Sequence, residues 1–162
     1  MLAVAFFAVA SLGLAGVLTA QYVLDPNPFD PLGKYPVQQV TSPVVTNGEA
    51  ITVDATKCST APESVTVKGT FYWVSVVPGG YKVFGGGGVG ERVPGCTKFH
   101  YTNPMPADMV AINEHLFGQG IAQVTWRLVG GDIPIDVDGS EGVPRPYHST
   151  SFTVVPSVVG AQ

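Results

Sequence analysis

The chain has 162 residues, of which 45% are hydrophobic and only 12% are charged, and its formal net charge at pH 7 is −4. Its eight Lys and Arg residues are scattered singly between Lys34 and Arg145, so the sequence contains no basic patch of the kind that binds a phosphate backbone. This composition excludes a typical nucleic-acid-binding protein. It predicts a weakly charged surface, which is suited to packing against another protein or against a cell envelope.

The first 24 residues are almost uniformly apolar and contain no charged side chain. As a helix with a rise of about 1.5 Å per residue, this segment would extend about 36 Å, enough to cross a hydrocarbon core of about 30 Å. We therefore expect residues 1–24 to form a transmembrane or signal-anchor helix that holds the chain in a membrane, with the remainder on its extracytoplasmic face. Cleavage near Ala20 is the alternative, and it would make the protein secreted.

Residues 25–36 follow directly and contain Pro26, Pro28, Pro31 and Pro36. Proline removes a backbone donor and disfavours helical geometry in the residue before it, so no helix continues through this stretch. We expect residues 25–36 to form a short, stiff spacer between the membrane and a folded domain.

Residues 37–156 are long enough for one domain with a real core, and residues 157–162 would form a C-terminal tail. Gly and Pro separate short apolar runs, which predicts an all-β domain: a single antiparallel β-sandwich of about seven strands and one short helix. The predicted strands are residues 50–53, 64–77, 81–84, 97–101, 121–129 and 150–155, with one or two more between residues 37 and 45.

Residues 64–77 show the clearest alternation, with Phe71 and Trp73 on the more apolar face. Pro78-Gly79-Gly80 predicts a turn into residues 81–84, so the two runs should pair as a hairpin. The same alternation places Trp126 on the inward face of residues 121–129. We expect these three aromatic residues to form the centre of the core.

One segment has helical rather than alternating periodicity. In residues 106–117, Met109, Ile112 and Leu116 recur on one helical face, with Phe117 beside them, and Gly118 is a suitable stop. This pattern predicts a short helix between two strands.

The strand count, the inward Trp and the final strand resemble an exported immunoglobulin-like or fibronectin-like β-sandwich. The resemblance is architectural and covers only the folded part, because the chain lacks the long Cys-to-Trp-to-Cys spacing of antibody-type domains. The resemblance implies a fold, and it implies nothing about which antigen or receptor the domain would bind.

The two cysteines are Cys58 and Cys96, and neither belongs to a C-x-x-C motif. In an exported domain an even number of cysteines favours a disulfide over a metal site. We therefore expect Cys58 and Cys96 to be bridged, with a stabilisation of about 4 kcal/mol in the chain-entropy model.

Residues 85–90 match G-x-G-x-x-G, but the sequence that follows does not begin the helix that a dinucleotide site requires. We interpret the glycine run instead as a flexible, protruding loop. Its bare backbone is a candidate partner-contact loop, formed by Gly85, Gly86, Gly87 and Gly88.

Four carboxylates between residues 132 and 141 could supply oxygen ligands to calcium, although their spacing does not fit an EF-hand. These candidate ligands are Asp132, Asp136, Asp138 and Glu141, and solvated loop carboxylates are the alternative interpretation. The three histidines stand in no recognisable catalytic motif. We predict no cofactor and no enzymatic activity.

These observations favour a non-catalytic, membrane-tethered extracytoplasmic β-sandwich that binds or supports another envelope or surface component. The alternative is a pilin-like filament or virion subunit whose apolar N-terminal helix packs in the core of an assembly. An exported enzyme or metal-dependent binder, using the 132–141 carboxylates or the histidines, is a third class.

Overall fold

The computed structural model describes residues 29–77 and 79–157. These residues form nine strands and one short helix, so the prediction of a mostly β protein with a single short helix is confirmed. In chain order the elements are β1 (Gln39–Val40), β2 (Val44–Thr46), β3 (Ile51–Ser59), β4 (Val65–Ser75), β5 (Lys82–Arg92), β6 (Gly95–Asn103), α1 (Ala107–Gly118), β7 (Val124–Ile135), β8 (Arg145–His148) and β9 (Phe152–Val155).

The strands form two sheets. One has three strands in the order β1-β3-β6, and the other has six, in the order β2-β9-β7-β4-β5 with β8 paired to β7. Most pairs are antiparallel, but β2 and β9 run parallel, with Val44 opposite Thr153. The prediction of a wholly antiparallel arrangement is therefore wrong at this pair. These two strands are distant in the chain and no hairpin links them, so nothing in their connection requires an antiparallel pairing.

The alternation predicted for the central strands is present. Val67 and Trp73 of β4 and Trp126 of β7 are each buried, while the neighbouring residues in each strand are more exposed. Phe71 packs edge-to-face on Trp73, and Trp73 on Phe152, each with ring centroids 5.7 Å apart. The predicted aromatic centre is confirmed, and buried residues of the smaller sheet, such as Val53, belong to the same core cluster.

Helix α1 packs against this core. It begins and ends within one residue of the prediction, and Met109 is fully buried as expected. Asn113 is also buried, and its Oδ1 accepts a hydrogen bond of 2.9 Å from the indole Nε1 of Trp126. The Asn113 Nδ2 donates to Oδ1 of Asn47, also at 2.9 Å. This amide links helix, core indole and the β2–β3 turn, so the buried side chains of Asn113 and Trp126 have hydrogen-bond partners.

The part of the predicted spacer that the structure describes, residues 29–36, packs on the domain. Leu32 and Tyr35 are 2% and 7% exposed. The backbone N–H of Thr60 donates to the carbonyl of Pro31 at 2.7 Å, and Nη2 of Arg145 donates to the carbonyl of Leu32 at 2.8 Å. Residues 29–36 therefore behave as part of the folded domain, and residues 25–28 lie outside the described part of the chain.

Among residues 29–77 and 79–157, no helix is both long enough and apolar enough to span a membrane. The predicted membrane segment, residues 1–24, lies outside these ranges, as do residues 158–162 of the predicted tail.

Candidate functional site

A buried ion cluster lies between the two sheets, and we call its four residues, Tyr35, Lys57, Arg92 and Asp132, the Asp132 cluster. Nζ of Lys57, on β3, lies 3.1 Å from each carboxylate oxygen of Asp132, on β7. Nε and Nη2 of Arg92, at the end of β5, donate to Asp132 Oδ2 at 3.0 and 2.6 Å. The hydroxyl of Tyr35 donates to the same oxygen at 3.0 Å. One carboxylate thus joins the two sheets and the N-terminal segment.

Lys57 and Asp132 are buried because each occupies an inward-facing position of its strand. In β3 the buried positions are Ile51, Val53, Ala55, Lys57 and Ser59, so Lys57 continues the core face. In β7 the buried face continues from Leu128 to Asp132. Asp132 is paired across the sheet with Gly69 of β4, where an added Cβ would lie 2.8 Å from Asp132 Oδ1. A glycine at this position leaves room for the carboxylate.

Burial and the Asp132 charge control the protonation of the surrounding groups. Burial lowers the pKa of Lys57, and the neighbouring Asp132 carboxylate only partly offsets this effect. Burial also opposes the charge on Arg92, but the carboxylate and its hydrogen bonds outweigh it, so the pKa of Arg92 is raised. Burial first, and Asp132 second, raise the pKa of Tyr35 and of Tyr147, whose ring centroid lies 4.3 Å from Lys57 Nζ.

These shifts predict a late-titrating group of tyrosines. The pKa values of Tyr35, Tyr101 and Tyr147 are raised above the ordinary value of 10.0, in each case mainly by burial. Their contribution to stability is complete below pH 10.0 and is lost as the pH rises further, because the unfolded chain releases these protons first. In a pH titration followed by tyrosinate absorbance, these three tyrosines should ionise at a higher pH than the other tyrosines of the native protein. In denaturant this difference should disappear. A denatured chain that titrates identically to the native one would contradict this expectation.

A cavity of about 340 Å³ opens between the sheets next to the Asp132 cluster. Its walls come from β3, β4, β5, β6 and β7, and they combine apolar side chains with the two cations of the cluster. Val53, Val67, Phe71 and Leu128 supply apolar surface, and Tyr101 of β6 also contributes to the lining. The cavity is therefore an apolar space with a charged group at one side, which is the usual composition of a small-molecule site.

The glycine run does not form the predicted loop. Gly85, Gly86, Gly87 and Gly88 lie inside β5, where Gly87 and Gly88 pair with Thr70 and Gly69 of β4. A Cβ at Gly85 would overlap the ring of Phe71, so the bare backbone lets this aromatic side chain pack beneath the strand. The loop prediction is wrong because cross-strand pairing and the Phe71 ring hold the glycines in a strand.

Strand β5 lies at the end of its sheet, and among the described residues it pairs only with β4. The register shifts between Phe71 and Tyr72, where Gly85 is the extra residue of β5, and residues 87–92 lie in the continuous stretch beyond this bulge. We call residues 87–92 the β5 edge. Val89 within it is 75% exposed, and the candidate contact residues Gly87 and Gly88 belong to it.

The predicted disulfide is confirmed. Cys58 of β3 and Cys96 of β6 are directly opposite each other in the ladder and are bonded through sulfur. The bridge lies one residue from Lys57, so it fixes the strand that carries one cation of the Asp132 cluster.

The structure does not bring the four candidate calcium ligands together. Asp132 is fully buried and bound to the cations of its cluster. Asp138 and Glu141 are exposed in the following turn, where Glu141 lies 3.5 Å from Lys68. Within the described ranges there is no group of three or more His, Cys, Asp or Glu side chains with a metal-binding arrangement. The spread of the four residues follows from β7, which extends to Ile135 and carries Asp132 into the core.

The histidines are separated as well. His100 of β6 pairs with Asp54 of β3 at 2.6 Å on an exposed face. His115 lies on α1, where its Nε2 is 3.0 Å from Nε2 of Gln119, and His148 is an exposed residue of β8.

Comparison with known proteins assigns no family. No family model and no curated protein matches the chain. Three solved structures show weak similarity. AT1g01470 from Arabidopsis thaliana has a TM-score of 0.42 and 14% identity, over 81% of this chain and 85% of that one. A protein described as late embryogenesis abundant, At2g46140.1, has a TM-score of 0.44 and 12% identity, over 93% and 85%.

The third structure is the alkylpurine DNA glycosylase AlkC of Pseudomonas fluorescens bound to DNA containing an abasic site analog. It has a TM-score of 0.41 and 13% identity, over 75% of this chain and 30% of that one. None of the three indicates an immunoglobulin or fibronectin family. Similarities this weak do not assign a function.

Proposed function

We propose that the chain is a non-catalytic β-sandwich module, tethered by residues 1–24 to the extracytoplasmic face of a membrane, that binds an extended segment of another envelope component. The contact would form along the β5 edge, where the partner adds a strand to the six-stranded sheet. The observation that carries this proposal is the free edge itself, because β5 has a strand neighbour on one side only within the described residues.

Several features of this edge favour pairing. Natural edge strands are commonly protected by charges, prolines or bulges. Residues 87–90 of the β5 edge contain no charged residue and no proline. Three of these four residues are glycines, so few side-chain atoms cover the backbone. Val89 is exposed and offers an apolar contact beside the ladder. The disulfide between Cys58 and Cys96 supports an oxidising, extracytoplasmic compartment.

Site-specific crosslinking in intact membranes tests the proposal. A photoreactive residue at Glu91, exposed within the β5 edge, should give a discrete adduct with another envelope protein. Val89→Lys places a charge in the same edge and should reduce the adduct yield on the order of tenfold, equivalent to about 1.4 kcal/mol. Folding should be unchanged because Val89 is 75% exposed.

Val137→Lys is the matched control, since Val137 is fully exposed in the turn after β7. It should leave the adduct yield unchanged. Equal loss in both variants, or no adduct at Glu91, would contradict edge binding. An adduct between two copies of this chain would favour the alternative of a filament or virion subunit.

A further inference from the structure

The cavity beside the Asp132 cluster lies where inward-facing positions of β4 and β5 are glycines. Asp132, Gly69 and Gly88 lie opposite one another across β7, β4 and β5. A Cβ at Gly88 would have no atom within 4 Å, and one at Gly90 would reach only Nη1 of Arg92, at 4.0 Å. The backbone at Gly88 is not in the left-handed region, so a larger residue would be sterically allowed there. The glycine at this position keeps a space of about 340 Å³ open.

The size and lining of this space suit a small molecule with an apolar body. Ligand cavities commonly measure about 300–1,000 Å³ and combine apolar walls with a few polar groups. Here Val53, Val67 and Phe71 provide apolar contact, and the charged residues of the lining are the cations Lys57 and Arg92 and the carboxylate of Asp132. A ligand of this kind would bury its apolar part between the sheets.

The charges indicate the sign of the ligand. Two cations face one carboxylate, and among the ion pairs of the described residues Lys57 and Arg92 pair only with Asp132. The exposed fraction of the side chain is 11% for Arg92, 7% for Lys57 and 0% for Asp132. Arg92 is therefore the charged side chain of the cluster with the greatest exposure to solvent. Nε and Nη2 of Arg92 donate to Asp132, and Nη1 donates to the carbonyl of Glu91 at 3.0 Å, so a ligand carboxylate would accept from the remaining N–H of each terminal nitrogen.

We propose that this cavity binds a small monocarboxylate with an apolar body. Its carboxylate accepts hydrogen bonds from Arg92, with Lys57 nearby, and its apolar part lies against Val53, Val67 and Phe71. A single negative charge matches the excess of one cation in the Asp132 cluster. This site does not depend on the β5 edge binding a partner.

Calorimetric titration of the full-length chain with hexanoate tests the proposal. Hexanoate should bind saturably, and its isosteric neutral analogue hexanamide should bind at least about tenfold more weakly, because it lacks the charge. Acetate lacks the apolar body and should also bind at least about tenfold more weakly. Equal affinity for hexanoate and hexanamide, or no saturable binding of hexanoate, would overturn the proposal.

Two variants locate the site. Gly88→Leu fills the cavity and should weaken hexanoate binding at least about tenfold while the protein remains folded. Thr66→Leu adds the same side chain on the exposed face of β4, outside the cavity lining, and should leave binding unchanged. Hexanoate that only partitions into lipid would give a non-saturable signal of equal size in both variants, so it can be distinguished from binding in the cavity. Saturable binding that survives Gly88→Leu would place the ligand elsewhere and reject this cavity.

Discussion

Replacing Asp132 by Asn is expected to destabilise the protein by about 3–5 kcal/mol. The amide keeps the shape of the side chain and can still accept a hydrogen bond from Tyr35. It removes the only carboxylate that Lys57 and Arg92 pair with among the described residues. Both cations would remain nearly buried without a countercharge, and this uncompensated burial is what makes the single substitution costly. The free energy of unfolding in urea measures the effect.

A second variant separates charge from packing. The triple variant Lys57→Met, Arg92→Met, Asp132→Asn removes both cations together with the carboxylate, and it should be less destabilised than Asp132→Asn alone. Asp54→Asn is the matched control on β3, because Asp54 is exposed and pairs with His100 at the surface. It should change stability by less than about 1 kcal/mol. A triple variant less stable than the single one would show that the charges stabilise the fold as a set.

The sequence was sufficient to predict the parts of the fold that depend on local periodicity. Alternation in residues 64–77 and 121–129 identified Trp73 and Trp126 as inward residues, and both are fully buried. Helical spacing identified α1 to within a residue. These predictions succeed because one buried face imposes a period of two on a strand and about 3.6 on a helix.

The Asp132 cluster could not be found in the same way, because the predicted strands ended too early. The predicted strand covers only residues 121–129, and the carboxylates from Asp132 onward are expected to lie in a loop. The inward alternation of β7 in fact continues through Leu128, Asp132 and Pro134. A strand is held together by its neighbours, and β4 pairs with β7 as far as Ile135. Local composition does not contain that information.

Lys57 was missed for a related reason. The predicted strand stopped at Val53, although Ala55, Lys57 and Ser59 keep the same face of β3 buried. A Lys in an inward position reads as a break in the pattern unless its counterion is known. Here the counterion lies 75 residues away in the sequence. Long-range pairs of this kind, like the parallel pairing of β2 with β9, are set by tertiary contacts.

Removing the disulfide is also expected to lower the stability of the protein substantially. The bridge between Cys58 and Cys96 closes a segment with a sequence separation of 38 residues. In the chain-entropy model, cross-linking a loop of this size stabilises the native state by about 4 kcal/mol, because the unfolded chain loses conformational freedom. The double variant Cys58→Ala, Cys96→Ala should therefore unfold at a lower urea concentration than the oxidised parent, with the slope of the transition reporting any change in the unfolded state.

Reduction provides the matched comparison for this expectation. A reducing agent should lower the stability of the parent toward that of the double variant, and it should leave the double variant unchanged. The native ladder helps to preserve the fold in both cases, because β3 and β6 pair continuously from Ile51 to Ser59. Residual native structure should therefore survive without the bridge. If the reduced parent and the oxidised parent unfold at the same urea concentration, the bridge does not restrict the unfolded chain, and the stability of this region comes from the β3–β6 ladder alone.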